Sequence, residues 1–275
     1  MNLWKLIEKI RVKLTSKLIL KEEEKAMNRE KFYLSTIAPD APRLAREYGL
    51  GLEIAEYCTA WNMDEKFSAI DPVVRKKLMH SPRTLLHAPY NELFPCAIDK
   101  KARALAAERY RHAIALAKGY GSEKVIIHGG YQPMMYFPVW YTEQSILFWK
   151  EFLKEEPGVE LVLENVLEEE PDWILDIIKG VDDPRLRMCL DIGHVNAYSG
   201  IPVMDWLERC APWIGHFHIH NNDGTRDQHN ALFEGTVPME EFLHRAEELC
   251  PDASFTFELM KAEPSMNWLR ENGAI

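Results

Sequence analysis

One pattern constrains this chain more than any other: eight short apolar, β-branched runs, each followed by a polar or amphipathic stretch of helical period. The runs are Phe32–Ile37, Gly51–Tyr57, Thr84–Ala88, Lys124–His128, Glu160–Asn165, Leu186–Ile192, Ile214–His220 and Ser254–Leu259. The clearest helix between them is Asp99–Lys118. There Ala102, Leu105, Ala106, Ala113, Ile114 and Ala117 line one stripe, Lys100, Arg103 and Arg109 face outward, and Gly119 and Gly121 supply stop signals. Strands that alternate with helices pair in parallel, and eight such units over about 250 residues make one closed barrel. A doubly wound open sheet is the competitor, but no Gly-rich phosphate fingerprint follows an early strand. No internal repeat or low-complexity linker divides the chain. The expected architecture is α/β, a single (β/α)8 TIM barrel over residues 27–275.

Residues 1–26 stand apart as a basic extension. Over residues 1–21, Lys5, Lys9, Arg11, Lys13, Lys17 and Lys21 face Glu8 alone, while Leu3, Trp4, Ile7, Ile10, Leu14 and Leu18 recur at helical spacing. This reads as an amphipathic helix. Charges interrupt every apolar run and no cleavage site follows, so it is neither a signal peptide nor a transmembrane segment. Contact with a membrane surface is the functional reading. A plain extension ahead of the domain, with Met27 as a second start, is the preferred one.

Composition sets the remaining limits. Hydrophobic residues make up 47% and charged residues 28%, which excludes a disordered or collagen-like chain. A net charge of −10 gives no broad electrostatic footing for nucleic acid. Five cysteines, an odd number without a C-x-x-C pair, argue against a disulfide framework and point to the cytoplasm.

The ionisable residues fall where a barrel does its chemistry. His87 closes the third run (LLHAPY), His128 the fourth (VIIHGG) and Glu164 the fifth (LVLENV). Asp191 and His194 close the sixth (CLDIGH); His216, His218 and His220 lie on the seventh, with Asp227 and His229 just beyond; Glu258 ends the eighth. Six consecutive strands thus deliver His, Asp or Glu to their C-terminal ends, the face on which barrel enzymes build active sites. One such histidine would ordinarily be a solvated or hydrogen-bonded residue, and Glu164 alone could cap a helix. Yet Glu164 and Glu258 follow strongly apolar strands, and charged side chains are rarely buried without partners. Several carboxylates brought together raise one another's pKa, a cost that a divalent cation removes. Mixed imidazole and carboxylate donors suit zinc, manganese or iron. His218 and His220 point the same way along their strand, so either could be the ligand. Tyr90, beside His87, could stack on a base or a sugar, and Tyr90, His220 and Asn165 are the candidate substrate contacts.

At these positions the chain resembles the xylose-isomerase-like barrel superfamily, which includes AP endonuclease family 2 and the sugar-phosphate isomerases and epimerases. The resemblance runs from about Lys31 to Met260, and its most specific pieces are D-I-G-H at 191–194, D-Q-H at 227–229 and E-G at 234–235. Phe233 departs from it, standing where the family commonly has Gly in a G-E-G turn. The resemblance implies a central metal held by Glu164, Asp191, His218 and Glu258. In its endonuclease branch, His87 and His128 hold a further metal with Glu164 bridging, and His194, Asp227 and His229 hold another. One to three ions, zinc or manganese, are therefore expected.

Two reactions follow from the resemblance. In an isomerase or epimerase of a small sugar or sugar phosphate, Glu164 and Glu258 form the proton-transferring pair and His194 hydrogen-bonds a substrate oxygen. In a phosphoesterase, acting on abasic-site DNA or a small ester, clustered metals activate water. The complete nine-residue set favours the hydrolase, whereas the acidic surface and the lack of an Arg-rich loop favour a small substrate. The isomerase or epimerase is the preferred reading, and a non-catalytic binding barrel ranks last.

Overall fold

Each apolar run forms a strand in the computed structural model, which describes residues 27–155 and 157–275. The strands are β1 (Phe32–Ser35), β2 (Gly51–Ile54), β3 (Thr84–His87), β4 (Lys124–His128), β5 (Glu160–Glu164), β6 (Leu186–Asp191), β7 (Ile214–Ile219) and β8 (Ser254–Phe257). Each pairs in parallel with its sequence neighbour, and β8 returns to β1 to close the barrel. The α/β (β/α)8 expectation holds. The expected amphipathic helix within residues 1–26 lies outside the described residues. No described helix is long and apolar enough to cross a membrane.

The helices are α1 (Ala41–Tyr48), α2 (Ala60–Met63), α3 (Phe67–Leu78), α4 (Lys100–Tyr120), α5 (Pro138–Phe152), α6 (Pro171–Val181), α7 (Ile192–Tyr198), α8 (Val203–Cys210), α9 (Met239–Leu249) and α10 (Glu263–Glu271). In α4, Asp99 is the N-cap, its Oδ1 accepting the Lys101 N–H at 2.7 Å. The helix runs through Gly119 and stops at Gly121, whose φ of 70° is cheap only for glycine. Leu105, expected on the buried stripe, is instead exposed. Tyr110 takes that place, stacked on Trp149 with ring centroids 5.7 Å apart.

Several strands end short of their apolar runs, and the reason is local. At the top rim, side chains take over from the backbone ladder. The Ala55 N–H donates to Thr36 Oγ1 at 2.9 Å, and the Asp191 N–H donates to Asn165 Oδ1 at 2.9 Å. The backbone is then free to turn away while the side chains at the strand ends stay aimed into the barrel.

Apolar packing falls in two layers. Between strands and helices, Phe217 stacks on Phe255 at 4.8 Å and meets the edge of Phe242 at 5.8 Å. Inside the barrel, Tyr33, Leu85, Ile126, Val162 and Cys189 form a separate buried plug. Polar side chains occupy the layer above this plug, so the mouth has a dry floor. Truncating Phe217 to Ala should leave a cavity in the outer layer and cost about 3–5 kcal/mol of unfolding free energy. Phe233→Ala, at an exposed position, should change it by no more than about 0.5 kcal/mol. Urea melts of the two variants give both numbers, and equal costs would contradict this account of the core.

Candidate metal centre at the barrel mouth

Strand periodicity puts His87, His128, Glu164, Asp191, His218 and Glu258 on inward-facing positions at the upper ends of β3 to β8. Their polar atoms converge on His218. Its Nδ1 lies 3.2 Å from Glu164 Oε1, 3.7 Å from Asp191 Oδ2 and 3.7 Å from Glu258 Oε2. All four residues are buried, His218 and Asp191 completely.

Two further clusters flank this centre. On one side, His87 Nε2 and His128 Nε2 lie 3.3 Å and 3.5 Å from Glu164 Oε2. On the other, His229 Nε2 and His194 Nε2 lie 3.0 Å and 3.5 Å from Asp227 Oδ2. The structure thus brings together all nine positions that the sequence singles out as metal-ligand candidates.

Ring orientation follows a common rule. His87 donates Nδ1–H to Ala88 O, His194 to Asn165 O and His229 to Glu258 O, each at 2.9 Å. A carbonyl only accepts, so Nδ1 of each ring carries a proton, and Nε2 is the nitrogen turned to a carboxylate, protonated when it pairs there and free to take a metal once that proton is lost. Fixed outer partners of this kind orient metal-binding imidazoles.

The loop after β7 supplies Asp227 and His229. An isolated antiparallel bridge between Asn221 and Asn230 closes it. Gly235 presses against it: a Cβ there would lie 2.1 Å from Asn221 Oδ1 and 2.4 Å from Asn222 O. Glycine is therefore required at 235, whereas Phe233 points into solvent and meets no such constraint. His229 itself adopts a φ of 50°, a left-handed backbone that costs a non-glycine residue about 1–3 kcal/mol.

Electrostatics reflect the crowding. Burial pushes the Glu164 carboxyl up, but the imidazoles around it, His218 first, hold it well below the usual carboxylate range. Asp191 and Asp227 are likewise lowered against burial, by His194 and its neighbours. Glu258 goes the other way: burial and the nearby Glu53 charge raise it despite His218. Burial drives His128 down to about 3, so it is neutral. His229 is raised to about 9, its burial more than offset by Asp227 and Glu258, and His87, His194 and His218 are also raised.

These donors fit a divalent cation. Glu164 Oε2, Asp191 Oδ2, Asp227 Oδ1 and His218 Nδ1 are buried without a hydrogen-bond partner. Acceptors that face one another in a dry site need a shared positive charge. Within the spacing of metal ligands lie His87, His128 and Glu164; Glu164, Asp191 and His194; and His220, Asp227 and His229.

The candidate substrate contacts divide. Tyr90 borders the mouth cavity of about 290 Å³, half-exposed and stacked on His128 with ring centroids 4.3 Å apart. His220 does not reach that cavity. It is fully buried beneath His229, and its Nε2 lies 3.3 Å from Asp191 Oδ1 and 3.5 Å from Asp227 Oδ1. Asn165 is also buried, its side chain pairing with the Asp191 backbone in both directions. Asn165 sits behind the donors because strand alternation turns it away from Glu164, whereas His220 lies just past the end of β7 and is covered by His229. A larger depression of about 500 Å³, near Leu232, Met239 and Trp268, lies outside this donor cluster.

One residue escapes the sequence reading. Glu53 on β2 is fully buried inside the barrel, within 3.3 Å of His218 Nε2. Its only signal is a lone acidic residue amid the apolar run Gly51–Ile54.

Three comparisons bear on the chain. The family model for the xylose isomerase-like TIM barrel matches residues 44–272. MJ1311, an uncharacterized protein of Methanocaldococcus jannaschii, is 30% identical over 190 residues, covering 63% of this chain and 63%, less than two thirds, of that protein. Among solved structures, a D-tagatose 3-epimerase-like protein superposes with a TM-score of 0.73 at 24% identity, over 88% of this chain and 96% of that one. The TTHB071 protein of Thermus thermophilus, soaked with ZnCl2, gives a TM-score of 0.70 at 23% identity, over 88% and 97%.

The raised histidines predict how stability varies with pH. A histidine whose pKa is raised on folding stabilises the fold below its ordinary value of 6.5, and that contribution is lost as pH rises through the raised value. The Tm of chelator-treated protein should therefore fall between about pH 6.5 and 9.5 as the carboxylates lose their protonated partners. Stabilisation by added zinc should grow over the same window, because protons cease to compete for the imidazoles. Differential scanning fluorimetry with and without zinc measures both trends. A flat profile for the metal-free protein would show that protonated imidazoles do not balance the carboxylates.

Proposed function

Since the chain belongs to the xylose isomerase-like TIM barrel family, we propose that it is a divalent-metal-dependent enzyme that isomerises or epimerises a small sugar or sugar phosphate at its barrel mouth. The observation that carries this reading is the pair Glu164 and Glu258. They face each other across His218 in environments that push them apart, Glu164 lowered and Glu258 raised. Proton transfer between two positions of a substrate needs one ionised carboxylate and one carboxylic acid, set apart by environment. Similarity in fold to a D-tagatose 3-epimerase-like protein supports the reading.

Glu164, Asp191, His218 and Glu258 would hold the metal, zinc or manganese. When bound, it supplies a Lewis acid for a substrate carbonyl and adjacent hydroxyl. Glu164, ionised, accepts the proton from the carbon beside the carbonyl as that C–H bond breaks. Glu258, as the acid partner, returns a proton to the opposite face of the same carbon, which gives an epimer, or to the neighbouring carbon while the hydroxyl proton passes to the former carbonyl oxygen, which gives an isomer. His194 keeps its Nδ1 proton on Asn165 O and turns Nε2 toward the mouth, where it can meet a substrate oxygen. Tyr90 and Tyr198 line the cavity, where they can pack against the substrate's C–H surface.

A second reading has its own observation. The clusters around Glu164 Oε2 and Asp227 Oδ2 give five more donors than a single central metal needs, which favours a phosphoesterase. There water would attack phosphorus, the P–O bond to the leaving group would break, and the alcohol would depart with a proton. Nucleic acid is the less favoured substrate, given the net charge of −10.

Metal analysis of chelator-stripped, reloaded protein separates the two. About one ion per chain supports the isomerase or epimerase, and two or three support the hydrolase. Glu164→Gln and Glu258→Gln should each fold, and each should slow turnover about 10²–10⁴-fold. The assay is incorporation of solvent deuterium into a panel of ketoses and aldoses, followed by NMR. Full activity in either variant would remove that residue from the proton-transferring pair.

A further inference from the structure

His218 obeys a different rule from the other histidines of the site. His87, His194 and His229 each give Nδ1–H to a backbone carbonyl and present Nε2. His218 presents Nδ1 to Glu164, Asp191 and Glu258, and its Nε2 points down into the barrel at Glu53. The distances from that nitrogen are 3.2 Å to Glu53 Oε1 and 3.3 Å to Oε2. A carboxylate only accepts, so the nitrogen hydrogen-bonded to Glu53, Nε2, carries a proton, and when the ring is neutral the lone pair is left on Nδ1.

Glu53 is itself held from two sides. Its Oε2 accepts from Thr256 Oγ1 at 2.6 Å and lies 3.4 Å from His216 Nε2. His216 is anchored in turn by Ser254 Oγ, 2.7 Å from its Nδ1. Packing alone does not explain a carboxylate here: an ionised group in a dry interior is costly unless its neighbours compensate it. Those neighbours hold the carboxylate within reach of His218 Nε2.

We propose that Glu53 is the positioning residue of the metal centre, fixing the tautomer and ring plane of His218 so that Nδ1 and not Nε2 is offered to the metal. The proposal rests on the reading of His218 as a metal ligand. A backbone carbonyl would orient the ring equally well. The carboxylate adds a full negative charge behind it, which makes the ligand more basic. Of the donors at the centre, His218 is the one nearest all three carboxylates, so its orientation governs the whole set.

The test uses the full chain with zinc as the probe. Glu53→Gln keeps the shape but removes the charge and the obligatory acceptor. Zinc affinity, measured by competition with a chromophoric chelator, should fall about 10–100-fold. In zinc-loaded, ¹⁵N-histidine-labelled protein, the Nε2–H of His218, identified by its loss in His218→Gln, should resonate downfield and resist solvent exchange. In Glu53→Gln it should move upfield and exchange faster. Unchanged affinity and an unchanged resonance in Glu53→Gln, with zinc affinity lost in His218→Gln, would overturn the proposal alone. Wild-type zinc affinity in His218→Gln would overturn the ligand reading and the proposal with it. Should Glu53→Gln not fold, Thr256→Val removes the 2.6 Å bond to Oε2 while keeping the side-chain shape. It should weaken zinc several-fold and shift the same resonance, and no change in either would again overturn the proposal.

Discussion

Everything at the barrel mouth depends on one constraint: carboxylates that cannot share a dry space without a cation between them. Glu164, Asp191 and Glu258 reach within 3.7 Å of a single imidazole nitrogen, on a floor of apolar side chains that excludes water. Like charges in such a site repel strongly, and each carboxylate must be protonated, paired or metal-bound. Protonated imidazoles can do this when no metal is present, which is why His218, His194 and His87 are raised against their burial. A metal does it with one ion and releases those protons. The same residues thus serve two charge states, and the barrel must hold them rigidly through both.

The barrel supplies that rigidity through its strand ladder. Parallel strands place one inward side chain at a fixed height per strand, and closure leaves no free edge to relax the spacing. Glu164 and His128 lie side by side in register, as do Asp191 and His218. Loops refine what the ladder fixes. The bridge between Asn221 and Asn230 and the close approach of Gly235 hold Asp227 and His229 over the centre, and the strained backbone of His229 is offset there by its bond to Glu258 O.

Much of this is legible in the sequence because two periodicities coincide. Alternation of strand and helix identifies the barrel, and the placing of His, Asp or Glu last in each apolar run identifies the face. Alternation within a strand separates His218 from Phe217, and it groups Glu164, Asp191 and Glu258 correctly. Direction is legible; depth is not. His220 and Asn165 look like substrate contacts in the sequence because they adjoin ligand candidates, but both are covered by the layer in front of them. Leu105 misleads for a related reason, since apolar spacing does not say which of two adjacent stripes meets the strands. Glu53 stays hidden because a single acidic residue in a short strand looks like an edge or cap until its neighbours across the barrel are known. Those neighbours, on β7 and β8, are more than 150 residues away in sequence.

The two functional readings differ in what they ask of the outer clusters. For an isomerase or epimerase, His87, His128, His194, Asp227 and His229 surround one metal and face a substrate with many hydroxyls. The Nε2 atoms of His87, His194 and His229 donate while the rings are protonated and offer a lone pair once they are not, so in either state each can meet a hydroxyl. The phosphate group of an ester, by contrast, brings negative charge, which beside these carboxylates needs further cations between. The fixed Nδ1–H bonds to Ala88, Asn165 and Glu258 therefore tie substrate chemistry to metal count. With one ion the mouth keeps donors and acceptors for a polyol, and with three it becomes a wall of cations suited to phosphate. Tyr90, stacked on His128, and Tyr198, near His194, add ring faces that a sugar's C–H surface can use in the first case. These features together support the proposal of a polyol substrate over a phosphate ester.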